Sequence, residues 1–182
     1  MGFAAADAVA RFDSAVVHAV GRARSRSPVV VKLAKMVTFF GSVPGVTMAS
    51  LAGVVVVRRS PRRVAQVATA ALVGIAAELL LKRVFGRARP TLLEHREIVS
   101  STSFPSGHAS AGASLCVTLA LVLADSPRWR QHRTAIAVTS ATAASAIAMS
   151  RVVLGVHWPS DVAAGAALGA GWAFATARLF GR

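Results

Sequence analysis

The chain has 182 residues, of which 54% are hydrophobic and 15% charged, and its mean hydropathy is +0.58. Soluble globular proteins carry closer to a quarter charged residues. Three long runs without Asp, Glu, Lys or Arg cover residues 36–57, 98–124 and 134–150. This pattern excludes a disordered chain, a collagen, a coiled coil and a disulfide scaffold, and it predicts a multi-pass membrane protein.

The charge balance is strongly basic, with 21 Lys and Arg against 7 Asp and Glu, a formal net charge of +14. In a soluble chain this excess would indicate nucleic-acid binding. Here the basic residues flank the apolar runs, where they meet anionic headgroups. We therefore expect the bilayer as partner and no nucleic acid. The lone cysteine, Cys116, allows no intrachain disulfide and no cysteine-based metal site.

Residues 1–28 have the periodicity of an amphipathic helix that Pro28 closes. The apolar face holds Val9, Phe12, Val16 and Val20. The opposite face holds Asp7, Arg11, Ser14, His18 and Arg22. We expect this segment to lie in the membrane interface, with packing against the bundle as the alternative. Residues 29–182 are predicted to form a single transmembrane domain.

That domain is predicted to be an all-α bundle of about five membrane spans, because crossing the hydrocarbon core takes roughly 17 to 25 residues. The spans are placed at residues 36–57, 64–81, 106–124, 134–150 and 159–178. Gly41, Pro44 and Gly45 predict a kink in the first span. Gly165 and Gly169 have GxxxG spacing, which favours packing within the chain over a homo-oligomer seam, although an oligomer stays open.

Five spans fix which helix ends share one side of the membrane, and unusual polar residues fall at four of those ends. They are Lys82 with Arg89, Ser106 to His108, Ser150 with Arg151, and His157 with Asp161. Ionisable residues at such places are functional candidates. The polar stretch 82–105 between the second and third spans is also long enough to be functional.

Lys82 and Arg89 are seven residues apart, with Arg87 nearby, and three cations with little compensating acid indicate an anion site. Headgroup anchoring explains them about equally well. Glu78 stands one turn before Lys82 and is interpreted as charge compensation rather than as a catalytic acid.

Pro105 to His108 opens the third span, so that Ser106 and Gly107 fall in a first helical turn, where free N–H groups and the helix dipole favour an anion. His108 would face that anion. A simple proline-started helix with an incidental histidine is the alternative.

Pro159 starts the fifth span in the same way, with His157 just outside it and Asp161 in its first turn. A carboxylate there can fix the tautomer of the imidazole and raise its basicity, which makes a nucleophile. An acid that only complements the helix dipole would explain Asp161 but not His157.

Together, two histidines, one carboxylate and several cations around two helix N-termini match the needs of phosphoryl transfer. Acidic residues on this side are too few for a metal cage, so we expect metal-independent chemistry without a cofactor.

The ordered motifs Lys82-x6-Arg89-Pro90, Pro105-Ser106-Gly107-His108 and Ser150-Arg151-x5-His157-x3-Asp161 resemble the three-part signature of the type-2 phosphatidic-acid phosphatase superfamily. The match covers about residues 36–180. The resemblance implies a helical membrane phosphatase that releases phosphate from a lipid. It implies His157 as nucleophile through a phosphohistidine, Asp161 as its orienting group and His108 as the acid for the leaving alcohol. It also implies phosphate contacts from Lys82, Arg89, Arg151, Ser106 and Gly107.

Many members of this superfamily have six spans, and the shorter plan here resembles small bacterial members that act on polyprenyl phosphates or prenyl-linked phosphosugars. The uncharged spans argue against the soluble vanadium haloperoxidases, which share the signature. Phosphatidic acid, phosphatidylglycerophosphate and a lipid phosphotransferase reaction stay open, as does a non-catalytic module that binds anionic lipid.

The side of the membrane that bears the site is not fixed by the basic residues. They divide 12 to nine between the two sides, and nine to nine once Lys82, Arg89 and Arg151 are left out. The positive-inside rule therefore does not distinguish the two sides. The resemblance to this superfamily slightly favours a plasma-membrane protein whose active site faces the extracytoplasmic side.

Overall fold

The computed structural model describes residues 2–180, without the side chains of residues 2–4, 74, 75 and 77–79. Within that part of the chain, all regular structure is helical and no strand occurs. The helices are α1 (Gly2–Arg26), α2 (Pro28–Thr38), α3 (Val43–Val57), α4 (Pro61–Val84), α5 (Gly107–Ala124), α6 (Arg133–Val153) and α7 (Pro159–Phe180). The predicted all-α architecture is confirmed.

Proline sets the start of several helices. Pro28, Pro61 and Pro159 each occupy the first residue of a helix, where the missing N–H would have no partner in any case. The start of α3 is capped instead by Ser42, whose hydroxyl accepts a hydrogen bond of 3.3 Å from the Gly45 N–H. These local signals explain why the observed helix starts follow the sequence closely.

The first predicted span is broken, as the kink signals indicated. Thr38 ends α2, a 3-10 turn covers Phe39–Gly41, and α3 leaves at an angle of 58°. The break requires a glycine at position 41, because a Cβ on Gly41 would lie 2.8 Å from the backbone oxygen of His108. The prediction of one helix over residues 36–57 is therefore corrected to a bent pair that starts at Pro28.

Three helices are long and apolar enough to cross a membrane, namely α5, α7 and the stretch Arg130–Val153 that contains α6. The number of candidate spans rises to four if the bent pair α2–α3 is counted as one span. The remaining predicted span, 64–81, lies within α4, which includes residues whose side chains fall outside the described set. A membrane protein is confirmed, and the count of five stays a prediction.

The centre of the bundle is α5, which packs against α7, α6 and α4. Gly165 and Gly169 on α7 face the first turns of α5, and a Cβ at either would overlap a backbone carbonyl, that of Ser106 or Ser110. The small residues thus bring two helices of the same chain together, and packing within the chain is confirmed.

Replacing Gly169 with alanine should destabilise the protein, because the added methyl meets backbone that cannot move aside. We expect a loss of about 1–3 kcal/mol, read as a lower unfolding temperature in detergent. Gly171→Ala, two residues along the same helix with nothing within 4 Å of the added Cβ, is the matched control. Equal melting of the two variants would contradict the close approach.

Helix α1 packs against the bundle through only part of the face that its periodicity indicated, since Val16 and Val20 contact the core. Val17 and Asp13 are both 1% exposed, whereas Val9 and Phe12 are 45% and 59% exposed. The packed face is therefore rotated from the predicted one, with an acidic residue at its centre.

Two further predictions are not tested by the described structure. The side chain of Glu78, predicted to compensate the charge of Lys82, lies outside the described residues. The division of the chain at residue 28 stays a prediction.

Candidate active site

A cavity of about 250 Å³ lies at the end of the bundle where α5 and α7 begin and α6 ends. Most of the predicted site residues line it. They are Lys82, Arg89, Gly107, His108, Arg151 and His157. The helix ends that the sequence analysis assigned to one side thus meet around a single cavity, with two imidazoles and three cations on its wall.

The orientation of His157 follows from its contact with Arg89. The guanidinium of Arg89 donates 2.6 Å to the carbonyl of Val156, and the same Nη1 lies 3.3 Å from Nε2 of His157. A guanidinium can only donate, so Nε2 is the acceptor and the ring proton belongs on Nδ1. The lone pair of Nε2 therefore lies beside the cation at the cavity wall.

Asp161 stands behind His157, buried at 0% exposure. Its Oδ2 lies 3.6 Å from Nδ1 of His157, an ion-pair distance that is long for a hydrogen bond. The same oxygen accepts hydrogen bonds from the Ser103 hydroxyl and, at 2.9 Å, from the Trp158 N–H. The carboxylate is thus firmly held and faces Nδ1 of the imidazole that the sequence pattern paired with it.

Burial lowers the pKa of His157 from its ordinary value of 6.5, and the charges of Arg89 and Arg151 lower that pKa further. The neighbouring Asp161 acts in the opposite direction but does not outweigh burial. The imidazole is therefore neutral at pH 7, the form that can act as a nucleophile. Burial and the charge of Arg151 likewise lower the pKa of Arg89.

The three cations are held by polar neighbours around the cavity. Arg89 donates 2.8 Å to the carbonyl of Ser101, and Lys82 lies 3.4 Å from the hydroxyl of the same serine. Arg151, only 2% exposed, donates 2.7 Å to the hydroxyl of Thr38 and forms an ion pair with Glu97. Glu97 lines the cavity as well, so one carboxylate faces the anion site.

The first turn of α5 contributes backbone more than side chains. Gly107 and His108 line the cavity, but Ser106 does not, and it is fully buried. The backbone N–H of Ser106 donates 3.2 Å to the carbonyl of Asp161, which ties the starts of α5 and α7 together. The predicted phosphate contact of Ser106 stays a prediction, whereas Gly107 stands where an anion would meet the helix N-terminus.

Arg87, which the sequence analysis grouped with the other two cations, is turned away from the cavity. It forms ion pairs of 2.7 Å with Asp13 and 2.6 Å with Asp161. Sequence reasoning missed Asp13 and Glu97 altogether. A signal for Asp13 existed, because its spacing of four and seven residues to Val17 and Val20 puts the three on one helix face.

A larger cavity of about 640 Å³ lies between α1, α2 and the 82–105 stretch, but no histidine lines it among the described residues. We place the chemistry in the smaller cavity because that one holds both imidazoles. No group of three or more His, Cys, Asp or Glu suited to a metal ion occurs in the described part of the chain. Metal-independent chemistry stays a prediction.

The fold has counterparts among known proteins. A crystal structure of a transmembrane PAP2-type phosphatidylglycerolphosphate phosphatase from Bacillus subtilis superposes with a TM-score of 0.77 at 25% identity, covering 94% of this chain and 86% of that one. Aquifex aeolicus LpxE superposes with a TM-score of 0.69 at 22% identity, covering 90% and 93% of the two chains, which shows a shared fold.

Sequence relatives include a decaprenylphosphoryl-5-phosphoribose phosphatase of Mycobacterium tuberculosis, 30% identical over 169 residues, which are 91% of this chain and 89% of the relative. A lipid A 1-phosphatase of Rhizobium johnstonii is 37% identical over 112 residues, 57% of this chain. The chain spans less than half the length of that relative, 42%. The family profile of the PAP2 superfamily matches residues 63–182, which include every predicted site residue, and the chain belongs to that superfamily.

Proposed function

We propose that the protein is an integral-membrane lipid phosphatase that removes phosphate from a lipid phosphomonoester or diphosphate through a phosphohistidine intermediate. The observation that carries this proposal is the juxtaposition of His157, His108 and three cations around one cavity at the end of a bundle of apolar helices. Cations and helix N-terminal N–H groups stabilise the charge on phosphoryl oxygens, while the two imidazoles supply a nucleophile and an acid.

In the first step, Nε2 of neutral His157 attacks phosphorus and forms a P–N bond. The P–O bond to the lipid breaks, and its electron pair stays on the leaving oxygen, which takes a proton from His108. Asp161, 3.6 Å from Nδ1, stabilises the positive charge that develops on the ring. Lys82, Arg89 and Arg151 hold the phosphoryl oxygens.

In the second step, water attacks phosphorus and loses a proton to His108, which returns to its starting state. The P–N bond breaks, its electron pair returns to Nε2, and inorganic phosphate leaves. No oxidant, metal or co-substrate other than water is needed. A phosphotransferase would replace water by a lipid hydroxyl at this step, with the same residues in the same roles.

Within this class, we favour polyprenyl phosphates, polyprenyl diphosphates or prenyl-phosphosugar phosphates as substrates. The Mycobacterium tuberculosis relative, which is matched over nearly its whole length, is a phosphatase of a decaprenylphosphoryl phosphoribose. The cavity wall also includes apolar Val43 and Val46 from the first turn of α3, which can contact the lipid chain of a substrate. Phosphatidylglycerophosphate is the second candidate, because the Bacillus subtilis phosphatase shares the fold closely.

The test is phosphate release by the detergent-purified protein in EDTA, with prenyl phosphates, phosphatidic acid, phosphatidylglycerophosphate and a water-soluble phosphate ester side by side. We expect release from one lipid class and little from the soluble ester. A need for a divalent metal would contradict the mechanism. Binding of anionic lipid without release from any of them would favour the non-catalytic module, and label passing to a second lipid would indicate a phosphotransferase.

The pH dependence of kcat/KM should report the ionisation of His157. The nucleophile must be neutral, so the rising limb of kcat/KM against pH follows the loss of the ring proton. Because burial lowers this pKa, we expect the midpoint of that limb below 6.5. Initial rates between about pH 4 and 8 measure it, and a ³¹P titration of the substrate separates its own second ionisation, near 6. A midpoint above 6.5 that the substrate does not explain would contradict the prediction.

Glu97 should weaken the binding of phosphate, because its carboxylate faces the cavity and is paired with Arg151. We expect Glu97→Gln to lower KM, and the inhibition constant of inorganic phosphate, by roughly fivefold through loss of like-charge repulsion, with kcat little changed. Glu94→Gln is the matched control, since that carboxylate pairs with Arg96 at the other cavity. A higher KM in Glu97→Gln would show instead that the carboxylate positions Arg151.

We also propose that the site faces the extracytoplasmic side of the plasma membrane. Ile98 is fully exposed beside the cavity, and the lone cysteine can be removed by Cys116→Ser. In that background, Ile98→Cys should react in intact cells with a maleimide that does not cross membranes. Reaction only after lysis would place the site in the cytoplasm.

A further inference from the structure

The buried acid of α1 has contacts that anchoring a surface helix does not require. Asp13 is 1% exposed, and both of its oxygens are engaged. Oδ1 accepts 2.9 Å from the backbone N–H of Ser160, and Oδ2 accepts 2.6 Å from the hydroxyl of Ser160 and 2.7 Å from Arg87. Burying a charge is costly, and a buried ion pair adds little stability over apolar packing, so the gain lies in geometry.

Arg87 extends this contact to the active site. One guanidinium nitrogen, Nη2, binds Asp13, and the other, Nη1, donates 2.6 Å to Oδ1 of Asp161. The guanidinium also lies over the ring of Trp158, 5.6 Å from its centroid, which fixes its plane. A planar fork held on both arms leaves the carboxylate of Asp161 little freedom to turn.

The second oxygen of Asp161, Oδ2, faces the nucleophile. Arg87 holds Oδ1, and the donors Ser103 and Trp158 hold Oδ2, so that Oδ2 is the atom opposite Nδ1 of His157. The charges matter as well, since the cluster of Asp13, Asp161 and Arg87 carries a net charge of −1, two carboxylates against one guanidinium. That net charge is available to stabilise the imidazole when it becomes cationic, and removal of Asp13 would cancel it.

We propose that Asp13 is a positioning residue, which acts through Arg87 to hold Asp161 and thereby the nucleophile His157. Helix α1 is then part of the support of the active site. The inference rests on the proposed function, because it concerns the same site. It assigns a role in the reaction to a residue outside the three motifs.

The test is a double-mutant cycle on the lipid phosphate that the wild-type protein hydrolyses best. Asp13→Asn keeps the size of the side chain and removes its charge. We expect it to lower kcat by about tenfold or more with KM little changed. In the Asp161→Asn background the same change should cost little, because residues that act as one unit are not additive. Asp7→Asn, an exposed acid on the same helix, is the matched control and should match the wild-type protein.

Unchanged kcat in Asp13→Asn, or equal losses in both backgrounds, would overturn the proposal while leaving the proposed function intact. If Asp13→Asn does not fold, the test uses Arg87→Lys in its place, because one ammonium group cannot bind both carboxylates as the guanidinium does. A wild-type kcat in Arg87→Lys would also overturn the inference. Should the wild-type protein release no phosphate, the proposed function fails by itself. The ¹⁵N shifts of His157 then decide, with mixed tautomers expected in Asp13→Asn and one tautomer in Asp7→Asn.

Discussion

Replacing His157 with alanine is expected to abolish phosphate release, with kcat lower by at least about a thousandfold. Among the described residues, His157 is the imidazole whose Nε2 contacts Arg89 at the cavity wall, where that nitrogen can exchange the Arg89 contact for a bond to phosphorus. The measurement is single-turnover phosphate release with protein in excess. The control is His132→Ala, which replaces an exposed histidine at the N-cap of α6 that does not line the cavity. It should behave as the wild-type protein.

The intermediate itself gives a second measurement. With a lipid carrying ³²P in its phosphate, rapid quenching in alkali should leave label on the wild-type protein, because a phosphoramidate survives alkali and is lost in acid. The label should be absent from His157→Ala. It should accumulate in the single variant His108→Ala, which keeps His157 but lacks the group that activates the water. Label that persists in His157→Ala would show that another residue attacks phosphorus.

Replacing His108 with alanine should produce a loss that depends on the leaving group. Protonation of the leaving oxygen contributes roughly a hundredfold to ten-thousandfold when that oxygen belongs to an alcohol, which is a poor leaving group. With a prenyl diphosphate, the leaving group is the prenyl monophosphate, whose second pKa is about 6. Such a leaving group needs protonation by the acid far less than an alcohol does. We therefore expect His108→Ala to lose much more activity on a prenyl monophosphate than on the matching diphosphate.

The comparison of two substrates separates chemistry from folding, because a merely misfolded variant would lose both activities in the same proportion. His18→Ala, an exposed histidine on α1, is the control and should change neither rate. Equal losses on monophosphate and diphosphate would contradict the acid role and leave His108 as a phosphate ligand.

Helix boundaries could be predicted where the signals are local. The start of α7 at Pro159 follows from proline, whereas Pro105 lies outside α5, which begins at Gly107 with Ser106 as its N-cap, so the predicted first turn of that helix is corrected. The predicted spans 106–124 and 159–178 differ from α5 and α7 by no more than two residues at either end. The face of α1 could not be predicted in the same way. Periodicity shows which side chains share a face, but lipid and protein are both apolar surroundings, so it does not show which of them covers that face.

The site shows the same division. His108, His157, Lys82, Arg89 and Arg151 meet because four helix ends share one side, which follows from counting spans. The direction in which Arg87 turns depends on an acid 74 residues earlier in the chain, and nothing local to Arg87 carries that information. Likewise, the pairing of Glu97 with Arg151 depends on how the 82–105 stretch folds over the helix ends.

The place of the cavity at the ends of the apolar helices determines how the products separate. In the proposed reaction, the lipid product stays in the hydrocarbon phase, while phosphate escapes into water. The two products therefore partition into different phases and rarely meet again at the cavity, which makes the reverse reaction slow at any accessible concentration.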